Sequence, residues 1–347
     1  MKILVSALEP SSNLHLKELL KHTNGLELYG IFDKNLGNPM YDISQMAIMG
    51  IVDVFKKLRW FYKVADEMVE LAAKCDKVLL MDSSGFNLPL AKKIKEKYPQ
   101  KEIIYYILPQ TWASRPKRVL KLERYCDKLL GILPFEIEQY KSGKAKYVGH
   151  PLLDEIKIKR EGFDKDTIAF LAGSRAGEIT RLMPVFNEVR KRLKGKHAIL
   201  VIPASFDEKK IAELYGDIKG FEISRNTHDA LAKSEFAFIC SGTATLEAAL
   251  IGTPFALVYK AKKIDFFIGR KLLGIKLVGL ANILLEKYNG TLLHKEFLQD
   301  EANTKNLIET YKTTDRDIFA KKAKELLEYL GHGSSQNAAD IIMEKIC

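Results

Sequence analysis

Two segments of this 347-residue chain place small and hydroxyl-bearing residues beside charged ones, just where an apolar run gives way to a helical pattern. In the first, Gly173-Ser174-Arg175-Ala176-Gly177-Glu178, Gly173 lets a backbone approach closely and Ser174 can cap the helix and bond a phosphate oxygen. Arg175 offers a planar fork suited to a diphosphate. The second, Ser241-Gly242-Thr243-Ala244-Thr245-Leu246-Glu247, opens a helix whose first-turn N–H groups face the strand end, which is an anion-binding geometry. Glu247 lies one turn further in, where a carboxylate accepts both hydroxyls of a ribose. Each segment also has a plainer reading. The first suits an ordinary βα turn with a solvated arginine, the second a capping box formed by Thr243 and Glu247. Two anion loops in one half of a chain favour a nucleotide diphosphate over two coincidental caps.

The elements that must hold these loops are legible in the apolar pattern. Short β-rich runs cover residues 2–8, 26–32, 77–82, 102–108, 128–133 and 145–148, and a second set covers 167–172, 198–203, 221–224, 236–240 and 255–259. Amphipathic stretches such as 88–97, 181–193 and 243–251 lie between them. Continuous apolar strands separated by helices are buried on both faces, which implies parallel sheets built from βαβ units. The expected fold is α/β, with two Rossmann-like doubly wound domains facing a cleft. A charged stretch, 155–166, separates the sets, giving domains 1–155 and 156–330. Helical patterns at 316–329 and 336–346 close the chain, with Gly331 as a C-cap and the Ser334-Ser335 pair as an N-cap. Residues 331–347 are expected to cross back to the first domain. In open α/β sheets ligands sit outside the carboxyl ends of the strands, so the residues just after each strand carry the function.

Composition removes several classes. The chain is 47% apolar and 29% charged, an ordinary globular balance. No apolar run approaches the roughly 18 residues that span a bilayer. Glu9 ends the first apolar run too early for a secretory signal. Cys75, Cys126, Cys240 and Cys347 form no CxxC pair or zinc spacing, and read as reduced thiols of the cytoplasm. There is no GxGxxG after the first strand, no P-loop motif, no HExxH and no carboxylate cluster with metal spacing, so no cofactor and no metal are expected. Lys and Arg total 55 against 44 Asp and Glu, a net charge of +11 that favours anionic partners.

The order and spacing of six segments together resemble the lipid-A-disaccharide synthase family of Gram-negative lipopolysaccharide synthesis, two-domain glycosyltransferases of the GT-B type. The segments are Met49-Gly50-Ile51-Val52-Asp53-Val54, Leu108-Pro109-Gln110-Thr111-Trp112-Ala113-Ser114-Arg115, Pro134-Phe135-Glu136, Val148-Gly149-His150-Pro151-Leu152 and the two anion loops. The resemblance covers nearly the whole chain. It implies an inverting transfer in which UDP-2,3-diacylglucosamine gives its sugar to the 6-hydroxyl of 2,3-diacylglucosamine 1-phosphate. A β-1,6 bond forms and UDP leaves, with the donor on the C-terminal half and the acceptor on the N-terminal half. Two departures stand out. The family's Gly-Glu-Ala-Ser-Gly-Asp loop is here Leu8-Glu9-Pro10-Ser11-Ser12-Asn13, and its Asp-x-Pro-Asp-Phe-Asn is Asp82-Ser83-Ser84-Gly85-Phe86-Asn87. An acid is lost at Asn13 and at Gly85.

Such a displacement needs a base for the acceptor hydroxyl and cations for the departing diphosphate. Asp82, Glu9 and His15 are the base candidates, with Asp82 favoured among the carboxylates and His15 equally suited to a plain helix position. Arg175 is expected at the diphosphate. The resemblance and the strand-end rule together assign substrate or UDP binding to Ser11, Asn87, Trp112, Arg115, Glu136, His150, Gly173, Ser174, Glu178, Ser241, Gly242, Thr243, Glu247 and Asn282. For Asn282 an N-cap is an equal alternative.

Residues 52–64 place Val54, Phe55, Leu58, Phe61 and Tyr62 on one side of a helix, of which Phe55, Leu58 and Phe61 are expected to face the membrane, and Lys56, Lys57, Arg59 and Lys63 largely around the other. Residues 261–271 repeat the basic amphipathic character. That pattern suits a helix lying in an anionic membrane interface, and also an amphipathic core helix. A cytoplasmic protein held peripherally on the inner membrane is expected. Two other readings compete: another UDP-sugar enzyme of this architecture, such as a lipid-II-type transferase or a non-hydrolysing epimerase, and a non-catalytic basic protein binding membrane or nucleic acid. The aromatic-basic helix and the segments at Trp112–Arg115 and Phe135-Glu136 argue against the first. The strand-end loops argue against nucleic acid.

Overall fold

The computed structural model describes residues 1–44, 54–158, 160, 162–261 and 276–344, with the side chains of 54–58 left aside. The segments 49–53 and 262–271, Cys347 and the side chains of Phe55 and Leu58 therefore lie outside the described residues. The chain divides into two compact units, one of Met1–Glu155 with His332–Cys347 and one of Ile156–Gly331.

In the first unit, β1 (Lys2–Ala7), β2 (Glu27–Phe32), β3 (Tyr41–Asp42), β4 (Lys77–Met81), β5 (Glu102–Tyr106), β6 (Lys128–Gly131) and β7 (Ala145–Tyr147) form one sheet. Its order is β3-β2-β1-β4-β5-β6-β7, and every pairing is parallel. Alternate residues of the central strands feed two cores. Leu4, Val78, Leu80, Ile103 and Tyr105 face one, with α2 (Val54–Ala72), α3 (Ser84–Lys97) and α4 (Arg118–Tyr125) over them. Ile3, Val5, Leu79, Met81, Ile104 and Tyr106 face the other, covered by α1 (Pro10–Leu20) and by the last helix of the chain. Strands covered on both faces need apolar residues at every position, which is why these runs read as continuous rather than alternating.

The second unit repeats the scheme. Its strands are β8 (Asp164–Leu171), β9 (His197–Val201), β10 (Glu222–Ser224), β11 (Ser234–Cys240), β12 (Phe255–Tyr259) and β13 (Glu296–Leu298), in the order β10-β9-β8-β11-β12-β13, all parallel. Between and after them run α6 (Ala176–Arg192), α7 (Glu208–Tyr215), α8 (Thr227–Lys233), α9 (Thr243–Ile251), α10 (Leu280–Asn289), α11 (Thr304–Thr313) and α12 (Arg316–Leu330), while α5 (Leu152–Glu155) before them and α13 (Ser335–Met343) at the end belong to the first unit. Gly331 ends α12 with φ +70°, a left-handed geometry that glycine adopts at little cost.

The start of α13 differs from expectation. Ser334 makes no side-chain cap. The carboxylate of Asp154 instead accepts the amides of Ser334 and Ser335, each at 2.8 Å. A carboxylate against a helix N-terminus satisfies two donors and the dipole together. Ala338, Ala339 and Ile342 then bury against Leu16 and Leu19 of α1. At the far end Lys77, wholly buried, donates to the carbonyl of Ile342 at 3.0 Å and to that of Glu344, and pairs with Glu102 at 3.0 Å.

Both sheets reverse winding direction at one place, between β1 and β4 in the first unit and between β8 and β11 in the second. These switch points open at the carboxyl ends of the strands.

Candidate functional site

At the second unit's switch point, β8 runs into Gly173, whose φ is +93°. A Cβ there would lie 2.8 Å from Glu178 Oε2 and 3.1 Å from Cys240 Sγ, so glycine is what lets the Glu178 carboxyl tuck beneath the loop. Arg175, not Ser174, is the N-cap of α6, and no side chain caps that helix. Arg175 Nη1 lies 3.0 Å from Glu178 Oε1 while the arginine side chain stays 80% exposed. The carboxylate holds the guanidinium charged, and the fork remains turned to solvent. Tyr259, at the end of β12, sits within the same electrostatic group: burial above all, then Glu178 and Cys240, push its hydroxyl up, while Arg175 and Arg181 draw it down.

Beside it, β11 ends at Cys240 and Gly242 caps α9 without any side-chain bond. The capping box between Thr243 and Glu247 does not form; Thr243 is exposed, and Thr245 bonds the carbonyl of Gly242 at 2.8 Å. Ser241 donates to the carbonyl of Val278 at 3.2 Å. Glu247 lies 3.3 Å from His228 Nε2. The first turn of α9 therefore presents backbone donors that no side chain has used, close to an exposed arginine fork. This is the chemistry of a phosphate cradle.

At the first unit's switch point, the loops after β1 and β4 touch: Ser83 Oγ donates to Glu9 Oε1 at 3.4 Å. Asp82 and Ser83 both have positive φ, +50° and +35°, and Ile107 at the end of β5 has +63°. For a β-branched residue that is an outlier, and such strain gathers where a loop's shape is over-determined. Burial pushes the Asp82 carboxyl up from its ordinary value, against the amide of Ser83 and the charge of His15. Glu9 and Ser11 are exposed. His15 bonds the carboxylate of Glu155 through Nδ1. His150 is buried and driven down to about 3 by desolvation, so it is a neutral imidazole whose Nδ1 accepts from the Leu152 amide at 3.3 Å.

The comparisons with known proteins agree along the length of the chain. Residues 3–346 match the family model described as Lipid-A-disaccharide synthetase. The lipid-A-disaccharide synthase of Helicobacter pylori strain G27 is 48% identical over 353 residues, covering 97% of each chain. This chain belongs to the lipid-A-disaccharide synthase family. The enzyme of that name from Campylobacter jejuni strain RM1221 is 45% identical, with 98% of this chain and 99% of that one covered. The fold extends further: the crystal structure of Acinetobacter baumannii MurG superposes with a TM-score of 0.59 at 14% identity, over 99% of each chain. As a lipid-A-disaccharide synthase family member the protein is a GT-B glycosyltransferase acting on a sugar-nucleotide lipid donor and a lipid acceptor.

The structure places several of the candidate site residues inside the fold. Asn87 is wholly buried; its Nδ2 donates to the carbonyls of Met81 (2.9 Å) and Asp82 (3.0 Å), and its Oδ1 accepts from Ser6 (2.6 Å). It braces the β4 loop, with both Nδ2 protons spent on backbone. Glu136 is likewise inside, accepting the amides of Ile132 (2.7 Å) and Leu133 (3.0 Å), with burial raising its carboxyl to about 7. Asn282 is not the N-cap of α10, which is Gly279. Its amide instead ties the carbonyl of His294 (3.0 Å) and the amides of Leu293 (2.8 Å) and His294 (3.1 Å) together. Phe61 does not face outward: it is half-buried against the core, edge-on to Trp60 at 5.2 Å and tilted on Phe86 at 5.7 Å. Trp112 packs edge-on to Phe135 at 5.1 Å, and Arg115 is exposed with φ +56°.

Residues that sequence reasoning passed over include Glu155, taken as the start of a linker, and Tyr259, His228 and Arg181. The strand-end rule applied to β12 would have found Tyr259; nothing in the sequence marks Glu155. A surface cavity of about 440 Å³, lined by Asp164, Thr167, His197 and Glu222 among others, lies at the opposite, amino-terminal ends of β8 to β10. No described helix is long and apolar enough to cross a membrane.

Proposed function

We propose that the second unit binds the UDP portion of UDP-2,3-diacylglucosamine and the first unit the 2,3-diacylglucosamine 1-phosphate acceptor, the 6-hydroxyl attacking the donor's anomeric carbon to give the β-1,6 disaccharide and UDP. The observation that carries this is the uncapped N-terminus of α9 beside the exposed fork of Arg175. Gly173, Ser174, Ser241, Gly242 and Thr243 line the phosphate cradle, and Glu247, steadied by His228, takes the ribose hydroxyls. Glu178 presents Arg175 rather than touching the diphosphate, since a carboxylate there would repel it. As the anomeric bond breaks, charge grows on the diphosphate, and Arg175 with the α9 amides meets it without reorganising. On the acceptor side the loops of Glu9, Ser11 and Asp82 surround the attacking hydroxyl, with Trp112 and Arg115 completing the surface. Asp82 and Glu9 supply negative charge to the proton transfer.

Membrane association belongs to the same proposal. Tyr62 and Leu120 are 56% and 70% exposed, and Arg59, Lys63, Lys117 and Lys121 around them are exposed as well. Apolar tips among cations suit a peripheral position on anionic lipid, here the cytoplasmic face of the inner membrane. The test is incubation with both acylated substrates, following UDP release and disaccharide by mass spectrometry. UDP binding without disaccharide would leave another UDP-sugar reaction as the correct reading.

A further inference from the structure

We propose that His15, oriented by Glu155, is the group that takes the proton from the attacking hydroxyl of the acceptor. This rests on the glycosyltransferase reading above and names the residue that completes it.

His15 lies in the second turn of α1, the helix that opens at the first unit's switch point. Its Nδ1 is bonded to the Glu155 carboxylate, 140 residues away in sequence, and the two side chains are only 13% and 15% exposed. An imidazole with Nδ1 on a carboxylate keeps its proton there and leaves the lone pair on Nε2. That Nε2 makes no hydrogen bond to any described residue. A carboxylate behind the ring also stabilises the imidazolium once a proton arrives, the arrangement by which a histidine serves as general base.

The neighbouring groups fit this role. Gly85 stands where the family pattern quoted above has an acid, and open space surrounds it. Glu9 is exposed and receives the Ser83 hydroxyl. Asp82 spends a carboxylate bond on the Ser83 amide and feels the His15 charge, so it acts on the imidazolium as a second counter-charge. His150, on the other side, is held neutral by burial and does not compete for the proton. Glu155, Asp82 and His150 are thus the titratable groups that bear on His15.

The step balances. The acceptor O–H bond breaks with its proton going to Nε2. The oxygen's electron pair forms the bond to the donor's anomeric carbon, and the bond from that carbon to the diphosphate breaks with its pair leaving on UDP. His15 then returns the proton to water.

His15→Asn keeps an N–H donor for Glu155 and removes Nε2. The full-length variant should lose on the order of 100-fold or more in kcat while binding UDP as tightly as the wild type in calorimetry. His15→Ala should regain turnover on addition of imidazole. Glu155→Gln removes the counter-charge, so the acid limb of the kcat–pH profile should move to lower pH. A purely structural pair would show neither imidazole rescue nor a moved limb. Near-normal kcat in His15→Asn, or an unmoved limb in Glu155→Gln, overturns the proposal while the glycosyltransferase reading stands. A wild-type protein that forms no disaccharide sinks both.

Discussion

Arg175 and Glu178 form an ion pair of 3.0 Å in which one partner is almost wholly exposed and the other almost wholly buried. The asymmetry is functional in form. With the guanidinium 80% exposed and screened by solvent, the pair contributes little to stability, about 0–1 kcal/mol, so its geometry is better understood as presenting a guanidinium than as holding the fold. Arg175→Ala should therefore leave the melting temperature within a degree or two and cut kcat on the order of 100-fold. Near-normal turnover in the folded variant would remove Arg175 from the reaction.

Thr243 tests the phosphate cradle from the other side. Its hydroxyl caps nothing, so Thr243→Val should not disturb α9. If the hydroxyl bonds a phosphate oxygen, UDP affinity measured by calorimetry should fall by about 1–3 kcal/mol. Unchanged affinity would confine the cradle to backbone amides.

Asn87 is the brace behind the strained Asp82-Ser83 turn. Asn87→Ala leaves the Ser6 hydroxyl and two carbonyls short of a partner, and should lower stability by about 2–4 kcal/mol in urea unfolding. A loss well under 1 kcal/mol would mean that water takes its place.

The pH dependence has a definite sign. Burial lowers His150 to about 3 and His294 to about 4, so between there and their ordinary value near 6.5 the unfolded chain binds more protons than the folded one. Stability contributed by these two is complete above about 6.5 and is lost as pH falls. Glu136, raised to about 7, acts oppositely between about 4.5 and 7, since there the folded protein holds the extra proton. Two histidines outweigh one carboxyl, leaving a net difference near one proton. Stability should rise by about 1.4 kcal/mol per pH unit from pH 5 to 6. Glu136→Gln should steepen that slope, and a flat or falling slope in the wild type would contradict the assignment.

The surface and the core of α2 separate cleanly by mutation. Phe61→Ser should destabilise the protein by about 2–4 kcal/mol, because Phe61 packs on Trp60 and Phe86. Tyr62→Ser combined with Leu120→Ser should leave the melting temperature nearly unchanged and reduce cosedimentation with anionic vesicles several-fold. Equal vesicle binding by that double variant would move the membrane surface elsewhere.

The sequence by itself determined the two parallel sheets and the loops at their switch points. Strands covered on both faces must be apolar at every position, and that continuity shows without knowing any partner. Strands of two or three residues escape such reading: β3 (Tyr41–Asp42) and β13 (Glu296–Leu298) are too short to carry a pattern. What a buried polar side chain does was decided by tertiary structure alone. Asn87, Glu136 and Asn282 have the types of ligand-binding residues, yet each spends hydrogen bonds on backbone, and Asn87 and Asn282 also bond the side chains of Ser6 and Glu296; only the fold shows which groups lie across from them. Asp154 caps a helix 180 residues later, and Glu155 meets His15 across 140. Such pairings arise because folding brings charges together in a low-dielectric interior where an unpartnered one would be costly, and no spacing along the chain records who the partner will be.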